Sequence, residues 1–244
     1  MKKESIMNID KYLEPVYGLK HDKVKFNKKS TAFVIIDPQI DFLSEKGVMW
    51  PVIGENLKTV GTVRNLDRLF QAAEKYNLNV IISPHYYYDH DYKWAYGGPG
   101  EHFMHDTKMF YKKAGAHSEI IHESGADWLP QYKKYINSRE LTTVASPHKI
   151  FGPQTNDVVL QLRKRKINTI ILAGMAANLC VESHLRDLVE QGFEVVVVKD
   201  ATAGPQAPEG DGYHAALINY RYIANEIITT DDLLRRLEKH LKNI

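Results

Sequence analysis

Cys180, Asp37 and Lys149 are the residues of this chain whose types and positions could perform nucleophilic chemistry. Cys180 is the only cysteine among 244 residues. It follows the apolar run Thr169-Ile-Ile-Leu-Ala-Gly174, at the predicted first turn of a helix that continues to Leu188. Unpaired N–H groups and the positive end of the helix dipole favour thiolate over thiol there, so the expectation is a lowered thiol pKa and alkylation that sets in early with pH. A lone cysteine is more commonly a small buried apolar residue. Asp37 could equally cap the turn before Pro38, and Lys149 could be a solvated surface lysine. What weakens these plain readings jointly is that all three fall at or just beyond the carboxyl ends of predicted strands, where parallel α/β sheets bind their ligands.

Those strands follow from the apolar pattern. Thr31–Asp37 is a continuous β-rich run, as expected for a strand buried on both faces. Further strands are predicted over Asn79–Ser83, Thr142–Ser146, Asn168–Ala173, Phe193–Val198 and Glu226–Ile228. Helical spacing covers 55–76, 154–165, the segment carrying Cys180, and 212–223, and Thr230-Asp-Asp starts a final helix with a capping residue and an acidic first turn. Strands alternating with helices specify an α/β fold: a three-layer α/β/α, Rossmann-like domain around a central, mostly parallel sheet. The domain is expected over 31–244, preceded by an N-terminal arm over 1–30. Residues 84–130 break the alternation and are dense in aromatics, which suits a pocket wall or a subunit contact.

Composition narrows the function. With 32 basic and 30 acidic residues the net charge is +2, and 43% of the chain is hydrophobic and 25% charged. Such a balance has no field to recruit nucleic acid or anionic lipid. One cysteine forms no internal disulfide, and there is neither a signal-peptide pattern nor an apolar run long enough to span a membrane. On composition the expectation is a cytoplasmic protein with no nucleic-acid or membrane partner. The reactive residues add the expectation of a small-molecule substrate, and a homo-oligomer (dimer or tetramer) is expected apart from composition.

Three motifs in order carry a family resemblance. Asp37-Pro-Gln-Ile-Asp-Phe42 resembles the D-x-Q-x-x-F signature of the isochorismatase-like cysteine hydrolases. Lys149, followed by Thr155-Asn-Asp157, is similar to their central lysine segment, and Gly174-Met-Ala-Ala-Asn-Leu-Cys-Val181 to their nucleophile loop. The resemblance implies a triad: Asp37 takes the thiol proton, Lys149 holds thiolate and carboxylate by its charge, and Cys180 attacks a carbonyl. It implies an oxyanion hole from the N–H groups of Ala176 and Cys180, and a cis peptide between Ala176 and Ala177. Phe42, Tyr86, Tyr87, Trp94 and Ala177 are the candidates for the substrate pocket.

Departures from the family pattern bear on the substrate. Ala177 replaces a common threonine. The nicotinamidase branch holds a metal through an Asp-x-His pair after the second strand, and here His85 and Tyr87 stand in those places. His85, Asp89, His90, His102 and His105 match no common ligand spacing. The expectation is therefore no metal and no cofactor, with cleavage of a C–N bond in a small amide or ureido compound through a thioester. The alternatives are vinyl-ether hydrolysis, which needs no thiol, and a non-catalytic binding protein on the same fold.

Overall fold

The structure is a computed structural model that describes residues 19, 23–111 and 124–242. Most of the expected arm over 1–30, and residues 112–123 of the aromatic segment, lie outside the described residues. In chain order the elements are β1 (Thr31–Ile36), α1 (Ile40–Leu43), α2 (Trp50–Val60), α3 (Thr62–Lys75), β2 (Asn79–Ser83), α4 (Pro99–Asp106), α5 (Lys133–Asn137), β3 (Thr142–Val144), α6 (Val158–Lys164), β4 (Thr169–Met175), α7 (Glu182–Glu190), β5 (Glu194–Ala203), a small hairpin β6 (Gln206–Ala207) and β7 (Gly210–Asp211), α8 (Gly212–Ile223), β8 (Glu226–Ile228) and α9 (Thr230–Leu241). Among the described residues no helix is long and apolar enough to cross a membrane.

Six strands form one sheet in the order β3-β2-β1-β4-β5-β8. All its pairings are parallel, so every carboxyl end lies along one edge. Alternate residues of each strand face opposite sides. Phe33, Ile35, Val80, Ile82, Ile171 and Ala173 join a core with Leu66, Leu69 and Phe70 of α3 and Leu233 and Leu237 of α9. Ala32, Val34, Ile36, Ile170 and Leu172 join a second core with Leu162 of α6, Leu185 and Leu188 of α7 and Leu217 and Tyr220 of α8. Each such Leu, Ile or Phe is stabilised by about 1.5–3 kcal/mol on burial, more than any helix propensity difference short of proline, so packing rather than propensity decides the three layers.

Two expected helices are altered by single residues. The spacing over 55–76 belongs to two helices, because Gly61 takes φ 77° and donates to Leu57 O at 2.9 Å, ending α2 before α3 begins. Glycine reaches that left-handed conformation without a Cβ clash. The helix expected from 154 begins as α6 only at Val158. Asn156 is extended, its Oδ1 accepting from Val158 N at 3.1 Å and its Nδ2 donating to Ser83 Oγ at 2.8 Å, a side-chain alternative to the helical ladder. The cap of α9 is Thr229, which accepts from Asp232 N at 3.2 Å, one residue before the expected Thr230. The described end of the arm is tied down: Val24 N donates to Glu226 Oε2 at 2.9 Å, and Arg236 bridges Glu226 at 2.5 Å and Val24 O.

Candidate active site

Chain order reverses between β1 and β4, and the loops beyond these two neighbouring strands diverge to make a crevice. Asp37, the first residue past β1, is fully buried and adopts φ 47°, a conformation aspartate tolerates better than most residues. Its N–H donates to Ser83 O at 3.0 Å, and Gln39 N donates to its carbonyl at 2.7 Å. Gln39 gives the first motif its physical meaning. Its amide donates to His85 O at 2.8 Å and Ala126 O at 2.7 Å and accepts from His85 N at 2.8 Å, locking the end of β2 against the end of β1. On the other side, Gly174 has φ 118°, and a Cβ there would stand 2.0 Å from Ile36 O, so only glycine lets β4 approach β1 this closely.

Cys180 lies in a turn, Ala177–Val181, that leads from β4 into α7. The cis peptide falls at Met175–Ala176 rather than at the expected Ala176–Ala177, because Ala177 already belongs to that turn and the strand-to-turn junction comes one bond earlier. The N–H groups of Ala176 and Cys180 face the sulfur and favour its anion. They are outweighed. Burial first, and then the neighbouring Asp37 carboxylate, push the Cys180 thiol well above the ordinary range, opposite to the direction expected from its place at a helix start. The helix dipole acts on a partly solvated thiol, whereas here desolvation of the charged form dominates. Burial also raises Asp37, against the opposing pull of His148.

The side chain on Asp37 is His148, whose Nε2 lies 2.9 Å from Asp37 Oδ1, both residues fully buried. Lys149 is directed elsewhere. Its ammonium contacts the Asp91 carboxylate, donates to Tyr86 O at 3.3 Å and lies 3.8 Å from the Tyr88 ring centroid. The reason is local: His148 pairs with His85 as in a parallel strand, and successive side chains of extended chain point to opposite sides. A one-residue offset therefore puts an imidazole where the motif suggested an ammonium. The neighbouring Lys149 was the only sequence signal for His148.

A second polar cluster braces the first. His184 Nδ1 lies 2.7 Å from Cys180 O, and its Nε2 lies 2.8 Å from Ser83 Oγ, which also accepts from Asn156. The carbonyl can only accept, so Nδ1 carries the proton and Nε2 accepts from the serine hydroxyl. Burial, reinforced by His148, lowers His184 to about 3, which keeps it neutral. Tyr220 donates to Ala177 O at 2.6 Å, fixing the loop at the position where relatives commonly carry threonine. Sequence reasoning missed His148 and His184, and named His85 only among metal candidates and Asn156 only within a motif, because each is brought in by a different strand end or helix.

A cavity of about 400 Å³ reaches Cys180, lined by Phe42, Met49, His85, Glu101, Phe103, Met104, Met109, Phe110, Phe151 and Leu179 with the Gly98-Pro99-Gly100 turn. Of the expected pocket residues Phe42 lines it. Tyr86, Tyr87, Trp94 and Ala177 are not among its lining residues. Tyr87 is buried behind the wall with its hydroxyl 3.6 Å from Met104 Sδ, Trp94 is half-exposed, Tyr86 serves Lys149 through its carbonyl, and Ala177 packs into the second core.

Metal binding can be tested against these residues. Tyr87, facing a thioether and the His105 ring, does not replace the histidine of the nicotinamidase-type metal set, so the residues present do not fit that site. A different donor set exists: Asp37, His85, His148 and Cys180 each offer an atom within 4.8 Å of the others. A cation there would take the sulfur as a ligand and compete with its use as a nucleophile.

Comparison with known proteins identifies the fold and the family. Ureidoacrylate amidohydrolase RutB of Pseudomonas syringae pv. syringae (strain B728a) is 26% identical over 220 residues, covering 86% of this chain and 85% of that protein. The crystal structure of a cysteine hydrolase from Pseudomonas syringae pv. phaseolicola 1448A superposes with a TM-score of 0.73 at 19% identity, covering 91% of this chain and 98% of that one. N-carbamoylsarcosine amidase from Thermoplasma acidophilum does so with a TM-score of 0.58 at 17% identity, covering 83% and 97%. The family model described as Isochorismatase domain matches residues 31–232, and the chain belongs to that family.

Proposed function

We propose that this hydrolase of the isochorismatase family is a cysteine amidohydrolase that cleaves the C–N bond of a small amide or ureido compound with Asp37, His148 and Cys180. The observation that carries the reading is the convergence of these three buried groups, with Cys180 lining a cavity large enough for a small molecule. The RutB relatives, named as amidohydrolases, support the bond type. Because the resting thiol is held protonated, attack and proton transfer are coupled: as Cys180 Sγ bonds to the carbonyl carbon, its proton passes to the Asp37 carboxylate. His148 donates to Asp37 Oδ1 and so positions the carboxylate and bears part of its charge. The N–H groups of Ala176 and Cys180 receive the oxyanion, for which one such donor is worth roughly 3 kcal/mol in other enzymes. Asp37 then returns the proton to the departing nitrogen as the C–N bond breaks, leaving a thioester. Water attacks the thioester as Asp37 takes its proton, and Asp37 passes that proton to the departing sulfur as the acid is released, restoring the thiol and the carboxylate.

The test is an amide and ureide panel with intact-mass analysis under rapid quench. A covalent adduct on Cys180 equal to the acyl fragment, absent in Cys180→Ala, is the expected result. Turnover of a vinyl ether that survives complete alkylation of Cys180 would instead identify the thiol-independent alternative.

A further inference from the structure

The walls of the Cys180 cavity constrain what the enzyme accepts, and the inference rests on the amidohydrolase reading above. Apart from the nucleophile, the groups around it are the aromatic faces of Phe42, Phe103 and Phe110, the thioethers of Met49 and Met104, and Leu179. Two other polar side chains line it. His85 is fully buried, and burial together with the neighbouring His148 holds it well below the ordinary imidazole range, so it offers no positive charge. Glu101 brings a carboxylate, anchored by accepting from Gly98 N at 2.7 Å. Asp37 adds a second carboxyl beside the sulfur. Among the described residues no lysine or arginine lines the cavity: the nearby Lys149 ammonium is taken up by Asp91, Tyr86 O and the Tyr88 ring. A substrate carboxylate in this cavity would lose its water, meet no cation among the described residues and face Glu101, each of which opposes binding.

We propose that the cavity at Cys180 selects an uncharged amide bearing an apolar aryl or branched-alkyl group beside the scissile bond, and rejects carboxylate-bearing amides such as ureido acids. The apolar group displaces water from the Phe and Met walls, while the carbonyl is left to the Ala176 and Cys180 N–H groups. Methionine side chains adapt to rings of different shape, so the selection is by polarity more than by outline.

The test uses the whole protein and two kinds of matched pair. The first is alkylation of Cys180 by iodoacetamide and by iodoacetate, each rate divided by that for a free thiol under the same conditions and read by intact mass. The neutral reagent is expected to be favoured at least tenfold, and Glu101→Gln, which keeps the bond to Gly98 N, is expected to narrow that ratio. The second is kcat/KM for a neutral aryl carboxamide against its carboxylate-bearing analogue, with the neutral compound again at least tenfold better. Equal or faster alkylation by iodoacetate, no alkylation by either reagent, or preference for the anionic amide would each overturn the proposal. Cys180-dependent turnover of anionic amides alone would overturn it while leaving the amidohydrolase reading intact. Failure to form any acyl-enzyme, with the neutral reagent still favoured, would retain the apolar selection and remove the reaction.

Discussion

Two buried polar clusters sit side by side at the carboxyl edge of the sheet, and they are satisfied to different degrees. In the one formed by Ser83, Asn156, His184 and the Cys180 carbonyl, the donors and acceptors close on one another at 2.7–2.8 Å. In the other, formed by Asp37, His85, His148 and Cys180, Asp37 Oδ2, His148 Nδ1 and both ring nitrogens of His85 make no hydrogen bond of normal geometry. Unsatisfied buried polar atoms are rare in folded proteins because each costs on the order of 1–3 kcal/mol. The closed cluster is what a structural brace looks like. The open one is where the proposed mechanism needs free donors and acceptors, and two of its members, His85 and Cys180, line the cavity.

That contrast can be broken by substitution. Cys180→Ala, in the open cluster, is expected to lower kcat by about 10⁴-fold or more while leaving the thermal midpoint within a few degrees, measured by steady-state kinetics and calorimetry. His148→Gln should lower kcat by about 10²–10⁴-fold with a smaller change in KM, since it disturbs the carboxyl that moves the proton. Lys149→Ala, which releases only Asp91 and the segment around Tyr88, should cost less than about tenfold. If Lys149→Ala matched Cys180→Ala and His148→Gln were mild, the role of partner to Asp37 would pass from His148 to Lys149.

The closed cluster should reveal itself in stability instead. His184 is held neutral down to about 3, below its unfolded value near 6.5, so the unfolded chain binds the extra proton first. The stability tied to this group is complete above the unfolded pKa and is lost as pH falls from about 6.5 towards 3. The loss is on the order of 5 kcal/mol over that window, at about 1.4 kcal/mol per unit. Denaturant titrations at successive pH values would show it, and His184→Asn should flatten the slope while destabilising the protein at neutral pH by about 1–3 kcal/mol. A pH-independent stability over that range would show that the imidazole is not buried as described. A smaller effect concerns the thiol: alkylation of Cys180 by iodoacetamide should have its midpoint above the roughly 8.5 of free cysteine. A midpoint below it would restore the reading of a helix-start thiolate.

Asp157 offers the gentlest test. Although partial burial raises its carboxyl, hydrogen bonds from Gln161 and Ser146 outweigh that and leave it below the ordinary range, so its contribution is present above the unfolded pKa near 3.9 and disappears as pH drops below it. Asp157→Asn is expected to cost no more than about 1 kcal/mol and to loosen the 146–149 loop, which hydrogen exchange at Ser146 N would register.

Much of this molecule was legible without coordinates because its causes are local. Continuous β-branched runs marked the strands of a sheet buried on both faces, and their alternation with helical spacing required parallel pairing. Asp37, Gln39 and Cys180 lie within motifs whose spacing brackets single strand ends, so their arrival at one edge followed from the topology. The break at Gly61 was less visible, since the apolar rhythm runs on through it.

What only the tertiary structure decided are the quantities that depend on neighbours distant in sequence. Whether His148 or Lys149 meets Asp37 turns on one step of phase in an extended segment set by its pairing with His85, and periodicity does not fix phase in a loop. The direction of the thiol's shift depends on how much water is excluded, and that is determined by walls from α1, α4 and the Cys180 turn closing together. Of the wall residues, Phe42 was expected from its motif, whereas nothing in the sequence marks Met104 or Leu179 as part of a pocket. Hydrophobic burial is non-directional, so the sequence determined that such side chains would leave water, and the folded arrangement alone decided that they would leave it around Cys180.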